Sequence, residues 1–555
     1  MNPTHHRRRQ LRSVGTITAG AALAAVLAAC GSTAGATAQN AGAGTSSGSS
    51  AAAGQPVSGG TLTLALDGDP TCIDPAQTSL TNTLSLGAQF TDTLVDQDFE
   101  TGEIVPALAE KWEISDDATE FTFHLRDGVT FSDGTPLDAA AVKANFDGII
   151  DLGAASFLGS SYLADYVGTD VVDDSTAKVT FKTPNVPFLQ AAATATLGIL
   201  SPATNKLTAD ERCQGELVGS GPFVLSKYDL TSQVVLTRRA GYAWPSAAAE
   251  HQGEAYVETV VLPIVKETGV RAGGLQSAEF DGIFQPAVQD QDALEQAGFT
   301  LTSRANPGNV QSLFANTFRP LVAEEAVRQA FQKAIDRDEF NATLFNARYA
   351  VPSSVLSPTT PGYTDLSADL VYDPEGAKAL LDGAGWTVGA DGIREKDGTK
   401  LVLKLLSSEA TKSAAELTQN QLKEVGIGVE IEIPESSQSF KVRSAGDWDY
   451  TFSGLTRADP DTLRRDFWSG GQPNSAAHLT ESPLDDKILA QKAEVDTEKR
   501  WAIVAEIQKE IITQGYDIPY GSQLQIYATR DGVQGLRLDA SSRLRLYDTW
   551  VQASS

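Results

Sequence analysis

Phe121, Phe123 and Leu125 alternate with polar neighbours, the period-2 pattern of a strand with one buried face. Val129 and Phe131 start a second alternating run. Ser132-Asp133-Gly134-Thr135-Pro136 is turn chemistry: Gly supplies positive φ, and Pro fixes φ where no amide donor is needed. Asp138 is placed to cap a helix that carries Val142, Phe146 and Ile149 on one face. The stretch from Ala107 to Asn145 therefore predicts strand, turn, strand, turn and the start of a helix. The same reading predicts strands at Thr61–Leu66, Val257–Val265 and Val429–Ile433, and a hairpin across Val171–Phe181. Amphipathic helices are expected at Ala326–Arg337, Leu417–Glu424 and Trp501–Ile512. A further helix follows Asp373 as N-cap and Pro374 at N1, and Gly383 or Gly385 stops it. Short strands alternating with helices point to a mixed α/β architecture.

The first 29 residues carry a different pattern. Arg7, Arg8, Arg9 and Arg12 precede a run of small and apolar residues, Val14 to Ala29, with no acid among them. The run falls short of the roughly 20 residues of a spanning helix and suits the core of a signal peptide. It ends in Leu27-Ala28-Ala29-Cys30, which resembles a bacterial lipobox with the Cys30 thiol as the lipid acceptor. The alternative is an uncleaved anchor holding a stray cysteine. Arg12 stands where a twin-arginine signal has an apolar residue, which favours Sec export. Residues 31–58 are uncharged and rich in Gly, Ala, Ser and Thr, a composition that cannot bury a core. As a coil this tether spans roughly 30 Å, and fully extended about 90–100 Å. A formal G-x-S-x-G at Gly44–Gly48 lies inside it, without the strand and helix that a nucleophile elbow needs.

Composition then narrows the function classes. With 555 residues the chain has room for several domain-sized cores, and its 41% hydrophobic and 21% charged residues are those of a soluble protein. The formal net charge is −28, and loss of the leader with its four arginines brings it to −32. Such a surface repels nucleic acid and anionic lipid. His124, His251 and His478 are scattered, with no H-E-x-x-H spacing and no cysteine nearby, so no metal site is expected. No G-x-x-x-x-G-K-[ST] occurs, so any ATP is hydrolysed by another chain. No cofactor and no catalytic group is expected.

The stretch LAEKW, then FTFHLRDGVTFSDGTPL, then a helix ending near KANF resembles the signature of the family 5 extracytoplasmic solute-binding proteins. These are the oligopeptide, dipeptide and nickel receptors of ABC importers. Other stretches resemble the same family: the double Asp-Pro turns at Asp69-Pro70 and Asp74-Pro75, Gly219-Ser220-Gly221-Pro222-Phe223, RRAGYAW at 238–244, and Val327–Arg337. The resemblance implies a periplasmic-binding-protein-like two-lobed α/β fold of the large class II type, with an extra insert domain. On that pattern, 1–29 is the lipoprotein signal and 30–58 the lipidated cysteine and tether. Lobe I comprises 59–90, 201–298 and 518–555, the insert domain is 91–200, and lobe II is 299–517. The implied partners are a small-molecule or peptide ligand and the ABC permease and ATPase subunits. A lipid anchor is the only membrane contact, and the receptor is expected as a monomer on the outer face of the cell membrane. Cys72 and Cys213 fall in one discontinuous lobe on this pattern, which implies a disulfide between them; two buried free thiols are the alternative. Arg328 and Arg337 are expected to be structural.

The resemblance also places the ligand. Extended peptides in the family pair with an edge strand of the second lobe, here Tyr450 to Leu455. The expected ligand-binding residues are Phe452, Ser453, Gly454, Leu455, Thr456 and Arg457, with Gly454 admitting a ligand backbone. Peptide receptors carry an Asp for the ligand's α-ammonium three residues before an acid-Pro pair. Aligning that pair on Asp459-Pro460 puts Thr456 there, unless Asp449 or Asp459 substitutes. A buried ammonium without a counter-charge is costly. The reading is a receptor for a peptide or peptide-like solute. Receptors for a nickel or metal chelate, an opine or a glycoside are alternatives, as is a chaperone-like lipoprotein outside transport. Arg457 either meets a ligand anion or pairs with Asp459 or Asp461. For the leader, globomycin should leave a precursor unprocessed, and Cys30→Ala should release the protein or strand the precursor. Unchanged membrane attachment of the Ala protein, processed elsewhere, would refute lipidation.

Overall fold

The computed structural model describes residues 55–435, 438–471 and 475–552. The leader, Cys30 and the tether up to residue 54 lie outside the described residues. The described residues form one compact unit built on three main sheets. No helix among the described residues is long and apolar enough to cross a membrane.

The seven-stranded sheet gathers distant parts of the chain. Its order is Thr300–Ala305, Leu524–Thr529, Gly282–Phe284, Thr61–Ala65, Thr259–Pro263, Gln233–Arg238, Phe223–Asp229. Thr61–Ala65 runs parallel to both of its neighbours. Leu62, Leu64, Val260, Leu262, Val234 and Leu236 are fully buried and share one core.

The four-stranded antiparallel sheet is ordered Ala109–Ile114, Glu120–Leu125, Thr176–Phe181, Tyr166–Asp173. The inward residues Phe121 and Phe123 meet Phe188, at 5.0 and 6.1 Å between ring centres, and Phe188 also packs on Phe181 and Phe146. Helix Ala139–Asp151 lies on this core through Val142, Phe146 and Ile149, and Asp138 caps it by accepting from the Ala141 amide at 2.8 Å. The expected second strand at Val129–Phe131 does not form. That segment makes a single bridge, Thr130 to Pro136, because the Asp133-Gly134 turn brings the chain back at once. Val129 and Phe131 are buried nonetheless.

The five-stranded sheet is ordered Gly428–Glu432, Val402–Leu406, Tyr450–Ser453, Gln311–Ala315, Asp517–Gly521. Helix Glu325–Ala334 packs there through Val327 and Phe331, and helix Lys412–Glu424 through Leu422. Two crossing points differ from the expected domain limits. Thr300–Ala305 pairs with Leu524–Thr529 in the seven-stranded sheet, so the chain leaves that sheet after Ala305 and not at 298. Asp517–Gly521 pairs with Gln311–Ala315 in the five-stranded sheet, so the return crossing follows Gly521 and not Asp517. Backbone pairing sets both limits, and the alternating apolar residues that predicted the strands do not say which sheet receives them. Arg328 bonds to the carbonyls of Val322, Ala323 and Gln514, and Arg337 to those of Ile335 and Leu370; both hold loops to helices.

Three motif stretches meet at Arg239. Its guanidinium donates to the carbonyls of Ser220 and Phe131 and to the Thr130 hydroxyl, and lies over the Trp244 ring at 4.8 Å. Gly219 and Gly221 are buried against the last turn of helix Thr81–Phe90. A Cβ on Gly219 would lie 1.8 Å from the Phe90 carbonyl oxygen, so any side chain there would force the two segments apart.

One covalent and three ionic ties fix these parts. Cys72 and Cys213 are joined by a disulfide. Beside it Arg212 and Asp74 make a fully buried ion pair at 2.7 Å. Beyond the strand Tyr450–Ser453, Asp459 accepts two bonds from Arg500, at 2.9 and 2.7 Å, with both side chains buried. Asp461 accepts from Arg464 and from Gln491 at 2.8 Å.

Two stability outcomes follow from these ties. Replacing both cysteines by Ala should lower unfolding free energy by about 3–5 kcal/mol, the chain-entropy value for a loop of this length. Urea unfolding that is unchanged by the replacement, or by dithiothreitol, would contradict it. Arg500→Met should cost about 3–5 kcal/mol because it strands the Asp459 charge, and Asp459→Leu in the same chain should restore most of it. A double variant no more stable than the single would show that the pair is not the cause.

Candidate functional site

The strand Tyr450–Ser453 is not an edge strand. It pairs antiparallel with Gln311–Ala315 along its length and parallel with Val402–Leu406 at Tyr450 and Thr451. Beyond Leu406 the neighbouring strand turns away; the Ser407 amide bonds to Glu432 instead. The open edge therefore begins at Phe452, because pairing on that side ends after Thr451. The backbone after the strand is tied to the crossing segment: the Arg457 amide donates to Pro307 at 2.9 Å and the Asn309 amide to Leu455 at 3.0 Å.

Two cavities flank this open edge. The larger, about 690 Å³, lies over the five-stranded sheet, among Phe452, Ser453, Tyr520, Phe345, Leu406 and Arg443. The smaller, about 250 Å³, is bounded by Leu455, Thr456, Arg457, Tyr162, Thr81 and Arg543. Gly454 and Gln523 line both. The larger volume falls within the ~300–1,000 Å³ of small-molecule sites. All six residues expected at the ligand thus line one cavity or the other. The space above Gly454 is shared with this chain: a Cβ there would lie 2.3 Å from the Gln523 amide nitrogen, the movable end of a side chain.

The expected residues differ in what holds them. Phe452 meets the Tyr520 ring edge-on at 5.5 Å. Ser453 accepts from Arg443 at 3.4 Å, and Thr456 accepts from the Asn306 amide at 2.9 Å. Arg457 is 3% exposed, with its guanidinium over the Tyr162 ring at 4.4 Å and 3.7 Å from Asp461. Neither of the two acids expected as substitutes for an ammonium anchor is open. Asp449 bonds to Arg319 and to the Lys404 amide, and Asp459 is held by Arg500.

The buried charges shift as their surroundings require. Burial opposes ionisation of Asp461, but the guanidinium groups of Arg464 and Arg457 outweigh it and hold the carboxyl below its usual range. Burial pulls Arg443 and Arg543 below the ordinary arginine value, and it raises the Tyr162 hydroxyl. Helix Leu484–Ala493 meets the four-stranded-sheet region here. The Val186 amide donates to the Lys492 carbonyl at 3.1 Å, and Lys492 Nζ to the Thr183 hydroxyl at 3.1 Å. Among the described residues no group of three or more His, Cys, Asp or Glu is placed to hold a metal ion. The arrangement leaves enclosed space large enough for a small molecule beside polar and aromatic side chains.

Sequence reasoning missed Tyr162, Arg443, Tyr520, Gln523 and Arg543. All but Arg443, which lies on the helix Ser439–Ala445 just before the strand, come from remote segments, and no local pattern singles any of them out. Arg543 sits in an Arg-Leu-Arg-Leu run that reads equally well as a plain exposed strand.

A model of bacterial extracellular solute-binding proteins, family 5 middle, matches residues 103–475. The chain is 26% identical to the dipeptide-binding protein of Escherichia coli K12 over 81% of its own length and 86% of the relative's. It is 29% identical to the glutathione-binding protein GsiB of the same organism, over 68% of this chain and 70% of the other. The structure of NikA from Brucella suis in complex with Fe(III)-EDTA superposes with a TM-score of 0.76 at 25% identity, covering 89% of this chain and all of that one. With the family model spanning the four-stranded sheet, the first crossing and the strand Tyr450–Ser453, this chain belongs to the family 5 bacterial extracellular solute-binding proteins.

Proposed function

We propose that the protein is the receptor of an ABC importer. It captures a peptide or peptide-like small solute between its lobes and delivers it to the permease, with ATP hydrolysed by a separate subunit. It binds its solute without transforming it. The leader and the Leu27-Ala28-Ala29-Cys30 box support an exported lipoprotein held at the outer face of the cell membrane, acting as a monomer. The observation that carries the reading is the pair of cavities at the open edge of Phe452–Arg457, with walls from both lobes and from the insert region. The names of the relatives, a dipeptide- and a glutathione-binding protein, agree with a solute of that size and character.

Ligand that binds only the closed, folded form stabilises it by mass action. Native mass spectrometry of freshly purified protein should show a co-purified small molecule. Adding that molecule back to stripped protein should raise the melting temperature in a concentration-dependent way. Failure of every di- to hexapeptide, opine, oligosaccharide, nickel chelate and whole-cell extract to shift the melting temperature would refute the receptor reading.

A further inference from the structure

The cations around the smaller cavity outnumber the carboxylates that face them. Arg464 and Arg500 take up the charges of Asp461 and Asp459, and Arg457 is left as a third cation beside two acids. Lys492 and Asp165, 3.9 Å apart, add one charge of each sign and leave the excess unchanged. The buried Nε of Arg457 has no acceptor among the described residues. Arg543 reaches the same cavity from the other side. It is 7% exposed, and its guanidinium donates to the Thr81 hydroxyl at 2.7 Å. The acid nearest to it along the chain, Asp539, is occupied: one oxygen accepts the amides of Ser541 and Arg543, the other Arg545 Nε at 3.0 Å.

The two arginines belong to opposite lobes. Arg457 follows the cleft strand of the five-stranded sheet. Arg543 belongs to the segment that returns to the seven-stranded sheet and packs beside helix Thr81–Phe90. Closing the lobes therefore brings two buried cations to one small cavity, which is unfavourable unless an anion lies between them. A planar carboxylate matches the forked donors of a guanidinium and accepts from both. An ammonium would meet two guanidinium groups there and a single carboxylate in the lining, Asp539, which Arg545 already holds. We infer that the smaller cavity is an anion subsite in which Arg457 and Arg543 hold a carboxylate of the solute from opposite lobes.

This inference rests on the receptor reading and specifies its solute. The solute presents a carboxylate to the smaller cavity and extends past Gly454 into the larger one, where Phe452 and Tyr520 offer apolar surface. A peptide enters carboxylate first, the reverse of an amine-anchored mode. The same chemistry admits acidic conjugates that have no free amine.

The test compares matched probes by thermal shift and calorimetry: di- to tetra-alanine, their C-terminal amides, their N-acetyl forms, and glutarate. The co-purified solute, and that solute esterified at its carboxyl groups, are measured alongside. Free acids and N-acetyl acids should bind, and amides and the esterified solute should bind about tenfold to a hundredfold more weakly. Arg457→Gln and Arg543→Gln should each weaken the acids by a similar factor and narrow their advantage over the amides. Arg543→Lys should recover part of the loss, which a purely structural role would not predict. Near-ultraviolet circular dichroism confirms that each variant is folded. Equal binding of acid and amide, or of native and esterified solute, overturns the anion subsite and leaves the receptor reading standing. So does undiminished binding by the folded Gln variants. If no solute of any kind binds the wild-type protein, the receptor reading falls and the subsite with it.

Discussion

Asp459 and Asp461 are buried carboxylates at the end of the cleft strand, and a charge removed from water must be matched nearby. That requirement fixes much of the second lobe. Arg500 comes from helix Thr497–Thr513, Gln491 from helix Leu484–Ala493 and Arg464 from helix Thr462–Phe467, and all three converge on the two acids. Helix position is thereby set by charge geometry as well as by the apolar seam that includes Ile488, Val504, Ile507 and Ile511. The network also decides what is left over. With Asp459 held by Arg500 and Asp461 bonded by Arg464 and Gln491, Arg457 lies over Tyr162 at the cavity wall and keeps only a longer, 3.7 Å contact to Asp461.

The sheets explain why the cleft lies where it does. Two lobes joined by crossings after Ala305 and after Gly521 have few backbone links between them, the arrangement that permits hinge closure. The cleft strand is anchored on both edges at Tyr450 and Thr451 and on one edge from Phe452 onward. A rigid base thus carries a short open edge. The walls facing this edge come from other segments: Tyr162 from the helix Phe157–Tyr162, Thr81 from the helix Thr81–Phe90, and Arg543 from the segment beside it.

Much of the fold was legible in the sequence where local physics decides it. The alternation at Phe121, Phe123 and Leu125, the Asp138 cap and the Asp373-Pro374 start each depend on neighbours along the chain, and each forms where expected. The Val129–Phe131 run shows the limit: its apolar pattern is real and its residues are buried, but the tight turn after it leaves room for one bridge only. The crossings were misjudged for a different reason. A strand such as Asp517–Gly521 is apolar on any sheet, and only long-range pairing assigns it. At the site, the resemblance led to the six consecutive residues Phe452 to Arg457. Tyr162, Gln523 and Arg543 stayed hidden because they meet the strand only once distant segments come together, and Arg443 because nothing along its own helix marks it as reaching the cavity.

The disulfide between Cys72 and Cys213 has a consequence that goes beyond stability. The chain between the two cysteines includes the whole four-stranded sheet and its helix Ala139–Asp151, so this region is a closed covalent ring that joins the rest of the chain at Cys72 and Cys213. A protease that cuts once inside the ring, for example at the exposed Asp173–Ser175 turn, yields two pieces that stay covalently attached until a reductant is supplied. On the outside of a cell, where proteases are plentiful and thiols scarce, a nicked molecule of this kind keeps its parts together.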